Sequence, residues 1–300
     1  MAGAARAQTT GWSVDVEGRL LAAEDGDIVW RADDTGAATS TIGIDEAWAG
    51  RAAITSPKLM GGVDFSLAYT GLRSDSENAA FTGTAPGYAY PVQGTYAYGY
   101  DAGSASAETD YDVVDFEAGL DVGLGAVRAR PFVGLRWADH STSLGTGFRT
   151  VPATTALSEN RETQFDGIGP RIGLTARVPL TPIVFVEAMG AWSALFGDRD
   201  TRIATTDGFT GTTTTARRSF DDTIHTFEGT VGLGLDLAPM AGVPVEVLLG
   251  YRYETWIGIL DTANFADLNN GAPIFPAGRF GSVDDDQTFH AGFLRLRLRF

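Results

Sequence analysis

The chain has 300 residues, 44% hydrophobic and 11% aromatic, with 38 acids against 22 bases, a formal charge of −16 and no cysteine. This apolar content excludes a disordered chain, and the missing cysteine excludes disulfides, thiol nucleophiles and cysteine-ligated zinc or iron–sulfur centres. A pI near 4.5 lacks the basic footprint that nucleic acid requires, and a mean hydropathy of −0.03 by itself suits a soluble protein.

In chain order, Ala5-Arg6-Ala7-Gln8 reads either as the small-residue end of a secretory signal or as an ordinary alanine-rich tail. Residues 1–10 are therefore set aside, and 11–300 are expected to form one domain. Period-two alternation then predicts strands at 12–23, 46–56 and 62–72. The clearest follow. Val114, Phe116, Ala118, Leu120, Val122 and Leu124 alternate with Asp115, Glu117, Gly119, Asp121 and Gly123. Val127 to Trp137 alternates with Arg128, Arg130, Gly134 and Arg136. Further strands are predicted at 162–178, 183–196 and 223–237, then at 245–253 and 294–300. The apolar stretch Ile183–Gly197 carries Glu187 and is too short for a helical membrane span, which needs about 20 residues.

The links alternate in length. Those at 24–45, 73–110, 139–161, 197–222 and 259–287 are long and polar; those at 57–61, 125–126, 179–182 and 238–244 are short. This is the connectivity of an up-and-down antiparallel β-barrel of about ten strands, eight to twelve at the extremes. In outer-membrane barrels the periplasmic turns are short and the external loops long.

Alternation leaves open which face is inside, since a soluble barrel has the same period with its faces reversed. Three features choose. The charged face balances its signs. It carries Asp15, Glu17, Asp64, Asp115, Glu117, Asp121, Glu187, Glu228, Asp236, Glu246 and Glu254 against Arg19, Arg51, Arg128, Arg130, Arg136, Arg171, Arg177, Arg252, Arg295, Arg297 and Arg299. Equal numbers suit an enclosed, compensated lumen, and arginine suits bidentate pairing there. Aromatics at Trp48, Tyr69, Tyr111, Trp137, Trp192 and Tyr253 form an expected girdle at the membrane interface. The chain ends in an alternating strand on Phe300, the end that barrel-assembly machinery reads.

Phe165-Asp166-Gly167-Ile168-Gly169-Pro170-Arg171-Ile172-Gly173-Leu174 resembles a signature of the Legionella-type major outer membrane protein family. So do Val114 to Gly119 leading into Arg130 to Arg136, and the ending Phe289 to Phe300. The resemblance covers about residues 110–300 and implies a pore-forming outer-membrane barrel without catalytic residues. This chain departs from the family's disulfide cross-linking, having no cysteine.

The remaining motifs each carry two readings. Gly123-Leu124-Gly125, Gly167-Ile168-Gly169 and Gly232-Leu233-Gly234 open no helix, so they read as lumen glycines making room rather than dinucleotide fingerprints. His140 beside Asp139, His225 after Asp221 and Asp222, and His290 after Asp284 to Asp286 resemble the rim Asp–His pairs of omptin proteases, although rims are acidic in any case. Glu24-Asp25-Gly26-Asp27, Asp33-Asp34, Asp198-Arg199-Asp200 and Asp284-Asp285-Asp286 read as solvated loops, with Ca²⁺ binding the weaker alternative; no other cofactor is expected. Tyr88 to Tyr100 reads as an external hairpin turning at Pro91–Gly94, stiffened by aromatic pairs or offered to a glycan or partner protein.

The sequence thus predicts an outer-membrane barrel, either a narrow passive pore or a structural surface protein. Its lumen is expected to be lined by Arg128, Arg130, Arg136, Arg171, Arg295, Arg297, Arg299, Asp115, Glu117, Asp121 and Glu254. Its expected partners are outer-membrane lipid, lipopolysaccharide and the assembly machinery, with no nucleic acid. The alternatives are loops that bind a partner and a rim protease.

Overall fold

A computed structural model of the chain describes residues 11–25, 28–32, 39–42, 47–59, 62–74, 77–82, 90–91, 101–150, 156–208, 210–238, 244–260 and 286–300. Ten antiparallel strands form a closed barrel. They are β1 (Ser13–Asp25), β2 (Ala47–Thr55), β3 (Val63–Ser74), β4 (Ala102–Leu120) and β5 (Val127–Arg149), followed by β6 (Ala156–Pro179), β7 (Val184–Asp207), β8 (Thr212–Asp236), β9 (Val245–Ile257) and β10 (Gln287–Arg299). Each strand pairs with its neighbours in sequence, and β1 closes on β10 from Ser13↔Arg299 to Asp25↔Thr288. Closure leaves no strand of the barrel without a neighbour on either side, the condition for a sheet to cross lipid.

The faces divide as the alternation requires. Val16, Trp48, Leu67, Tyr69, Phe116, Val133, Leu135, Ile172, Leu249 and Leu296 are exposed on the outside, whereas Glu17, Arg19, Asp115, Arg136, Arg171 and Glu228 are buried inside. Outward positions of β5 run Pro131, Val133, Leu135 and Trp137 before turning polar at Asp139. Roughly ten residues tilted in this way rise about 25 Å, the height of an outer-membrane apolar band. The upper boundary is sharp. Asp112, Asp139, Asp166, Asp198 and Asp221 lie side by side on β4 to β8 as successive register partners.

The strands are longer than the alternation predicted. The segments 139–161 and 197–222, expected as long loops, are mostly strand, joined at 150–155 and at a tight turn after Asp207. Polar, threonine-rich pairs such as Thr206–Thr213 (Oγ1 to Oγ1 2.9 Å) sustain the ladder outside lipid, where the hydrophobic alternation fades. Strands β4 to β8 therefore rise as a wall beyond the aspartate row, extended by Glu77–Thr82, which pairs along the top of β4. A small sheet of Ile28–Ala32, Thr39–Ile42 and Tyr90–Pro91 accompanies it, and Ile42 packs with Ala105, Leu144, Phe148 and Leu157 of the wall's inner face.

At the other end the connections are short: 56–62, 125–126, 180–183 and 237–244. The β4 ladder breaks at Asp121 and resumes as Val122–Leu124 before a turn at Gly125, whose φ of 66° is the left-handed region that glycine tolerates. Gly123-Leu124-Gly125 thus belongs to a turn and not to the lumen wall. Residues 1–10, Asp33-Asp34, Gly26-Asp27, Asp284-Asp285 and the tyrosine hairpin apart from Tyr90–Pro91 lie outside the described residues.

Candidate functional site

The site is the barrel interior, which the strands build in layers. Alternation sends one side chain in every two inward, so adjacent strands in register bring charges together from distant parts of the sequence. Arg136 on β5 lies opposite Asp115 on β4 and donates to both its oxygens (Nε 2.7 Å, Nη2 2.9 Å). Arg171 on β6 donates to Glu117 (3.1 Å) and, across the lumen, to Glu228 on β8 (2.7 and 3.3 Å). Arg136 and Arg252 also pair with Glu228, so one carboxylate holds three guanidiniums.

The network continues. Arg252 donates to Glu254 (3.1 Å), Arg19 to Glu17 (2.5 Å), and Arg295 to Glu17 (2.7 Å) and Glu187 (2.9 Å). Nearer the short-turn end, Arg130 clamps Asp64 (2.9 Å), Arg297 clamps Asp15 (2.8 and 2.9 Å), and Arg177 and Arg299 share Glu246 (2.5 and 2.6 Å). Planar, five-donor guanidiniums can serve two carboxylates at once, which lets this dense packing of charge persist away from bulk water.

Above this network lies an apolar layer. Tyr111 and Trp256 meet at a tilt with centroids 5.5 Å apart, Phe289 meets Tyr111 edge-on at 5.9 Å, and His140 lies 5.4 Å from Trp256. Leu72, Leu195, Ile224 and Phe165 complete it, all fully buried. The layer is tied to the charges below, since Trp256 Nε1 donates to Glu254 (3.0 Å). A polar ring of Gln287, Thr109 and Thr142 is hydrogen-bonded beside it, with Gln287 Oε1 2.8 Å from His140 Nε2. Burial holds the His140 imidazole down at about 4. In the external wall, burial pushes the Glu159 carboxyl up to about 7, against the pull of Arg161.

From the short-turn end a cavity of about 640 Å³ enters the barrel and reaches Arg171, Glu228 and Arg252 at its floor. Arg128 and Asp121 stand at its mouth, both solvent-exposed, and Asp121 pairs with Lys58 rather than with a lumen arginine. Three inward phenyl rings lie across glycines of the next strand: Phe132 over Gly173, Phe185 over Gly234 and Phe293 over Gly250. A Cβ on Gly234 would run into the Phe185 ring. Gly167 makes room for Phe165 in the same way, whereas a Cβ on Gly169 would collide with the Ala194 carbonyl oxygen.

On the outer face, Trp48, Tyr69 and Tyr253 are exposed, Trp137 and Trp192 are partly so, and Phe300 is exposed at the short-turn end. Two girdle aromatics are held by the aspartate row, Trp137 Nε1 donating to Asp166 (3.2 Å) and the Tyr69 hydroxyl to Asp112 (2.5 Å). Tyr111, expected in the girdle, instead points into the lumen. Its odd number gives it the parity of Asp115 and Glu117, so the same alternation carries it inward. Among the described residues the rim pairs of His140 with Asp139 and of His225 with Asp221 or Asp222 do not form either. Asp139 faces outward and His140 inward, as adjacent strand residues must. His225 stacks on Trp192 (5.8 Å), Asp222 pairs with Arg199, and His290 contacts Tyr251 and Tyr253. No group of three or more His, Cys, Asp or Glu suited to a metal ion occurs among the described residues.

A charged lumen inside an apolar, girdled exterior is the design of a barrel in lipid. The sequence model of the family described as Legionella pneumophila major outer membrane protein precursor matches residues 8–291. The chain belongs to this family. It is an outer-membrane protein. No curated protein matches the sequence. Among solved structures it is similar to the outer membrane protease OmpT of Escherichia coli, at 10% identity over 97% of both chains with a TM-score of 0.46. It is also similar to a major outer membrane protein of Thermus thermophilus, at 11% identity over 96% of this chain and 99% of that one, with a TM-score of 0.37.

Proposed function

We propose that this protein is a closed structural barrel of the outer membrane which presents the tall β4–β8 wall at the cell surface and conducts little or nothing. The observation that carries this reading is the filled interior, an arginine–carboxylate network capped by the Tyr111–Trp256–Phe289 layer. A ten-stranded lumen is narrow before any side chain enters it; water-filled porins use about 16–18 strands. Lipid and lipopolysaccharide are its surroundings, and the wall its face toward any partner protein or glycan. The separation of His140 and His225 from the neighbouring aspartates favours a non-enzymatic role over rim proteolysis.

Planar-bilayer recording tests this. The wild type is expected to stay silent, while Trp256→Ala combined with Tyr111→Ala opens discrete steps by removing the layer. Stable unitary steps from the wild type, unchanged by the double substitution, would refute it in favour of the passive-pore reading.

A further inference from the structure

The cavity at the short-turn end has a composition that closure does not require. Ten basic and seven acidic side chains line it, and its arginines also draw on Glu17, Glu246 and Glu254 behind the wall, yet Arg51 and Arg128 have no carboxylate at ion-pair distance among the described residues. Their isolation has a local origin in the register. Glu17 lies opposite both Arg51 and Arg295, but its two oxygens go to Arg19 and Arg295. Arg51 is left with no carboxylate at ion-pair distance among the described residues; Glu17 and Asp115 attract it from farther off, and Arg295 and Arg19 repel it. The same happens at the rim. Arg128 is the register partner of Arg177, and Arg177 shares Glu246 with Arg297 and Arg299.

Four residues further along the same inward face, towards the mouth, the cavity wall carries the hydroxyls of Thr55 and its register partner Ser66, 3.2 Å apart. A guanidinium with free N–H donors, sharing a cavity wall with hydroxyl donors and with like charge, recognises the oxygens of a small anion. At about 640 Å³ the cavity is also the size of an ordinary small-molecule pocket. Short turns place it on the periplasmic side.

We propose that this vestibule is a periplasm-facing binding site for a small oxyanion, carboxylate or phosphate, centred on Arg51 with Thr55 and Ser66, and with Arg128 drawing the ligand in at the rim. An anion there supplies the negative charge that the register withholds. The site dead-ends on Arg171, Glu228 and Arg252, so it binds without transporting.

Calorimetric titration of the full chain folded in detergent tests this, with citrate and inorganic phosphate as separate probes and the compact unboiled gel band as the check on folding. The wild type is expected to bind at least one probe saturably. Saturation by citrate alone assigns the site to carboxylates, by phosphate alone to phosphates, and by both to oxyanions generally. Arg51→Gln is expected to weaken binding about tenfold or more, the loss of one charge-assisted contact of about 1.4 kcal/mol. Arg51→Lys, which keeps the charge, is expected to retain most of the affinity. Arg73→Ala, on the outer face, is expected to leave it unchanged. Folded wild type without saturable binding of either probe up to about 10 mM, a free energy weaker than roughly 3 kcal/mol, overturns the proposal. Binding by folded Arg51→Gln within twofold of wild type overturns it as well. Neither result depends on whether the barrel conducts.

Discussion

Glu228→Gln is the most informative single change to the lumen. Its carboxylate is buried and takes charge from Arg136, Arg171 and Arg252, with the Arg171 contacts at 2.7 and 3.3 Å. At an effective dielectric of roughly 20, each such contact is worth about 4 kcal/mol before desolvation is subtracted. Glutamine keeps the shape and one acceptor oxygen, but its amide presents N–H to a guanidinium and the charge is gone. The three arginines keep only their other carboxylates, Asp115, Glu117 and Glu254, of which Glu117 also serves Arg130 and Glu254 also serves Arg19. Breaking a buried pair by removing one member costs about 3–5 kcal/mol, and serving three cations puts this position at the upper end.

The assay is urea unfolding of the folded barrel in detergent, followed by tryptophan fluorescence and by loss of the compact gel band. Adding Arg171→Met should recover part of the loss, because it removes one stranded charge and keeps an unbranched apolar chain. A Glu228→Gln barrel within about 0.5 kcal/mol of wild type, the scatter of an ordinary surface substitution, would refute the view that this network holds the lumen together.

Three further outcomes are expected. Glu159 ionises near 7 in the fold against 4.5 ordinarily, so its stabilisation is complete below pH 4.5 and is lost as pH rises through 7. The wall should become more protease-sensitive between pH 5 and 8, and Glu159→Gln should flatten that rise. His140 behaves in the opposite sense. Held near 4 against 6.5, it contributes stability above pH 6.5 that is lost as pH falls through 4, and His140→Gln should remove this acid-side loss as read by thermal unfolding. Gly234→Ala should destabilise the barrel by about 1–3 kcal/mol in the same urea assay, because its Cβ enters the Phe185 ring; pairing it with Phe185→Leu should recover part of the cost.

Much of this barrel was legible in the sequence because a strand's two faces are written at a period of two. The alternation at 114–124, 127–137, 245–253 and 294–300 located the strands and separated lipid-facing leucines from inward arginines. The short links at 125–126 and 179–182 gave the topology. Where reading by pattern stopped at the apolar band, it misjudged the wall, since strands above lipid need no hydrophobic alternation and 139–161 and 197–222 resembled loops. Tyr111, Trp256 and Phe289 were missed as lumen residues for a related reason. Each carries the inward parity of the charges on its own strand, namely Asp115, Glu254 and Arg295. Extending that parity past the charges would have found all three.

The order of residues is enough to specify a closed antiparallel barrel with charge inside and an apolar, girdled exterior, because residue alternation and turn length are local properties. Which charges meet is not local. That Glu228 holds Arg136, Arg171 and Arg252, that Glu17 chooses Arg19 and Arg295 over Arg51, and that an aromatic layer caps the network all depend on strand register and on contacts across the lumen. These choices are made only in the folded barrel, because an inward side chain's partners lie up to 282 residues away, as Arg297 is from Asp15.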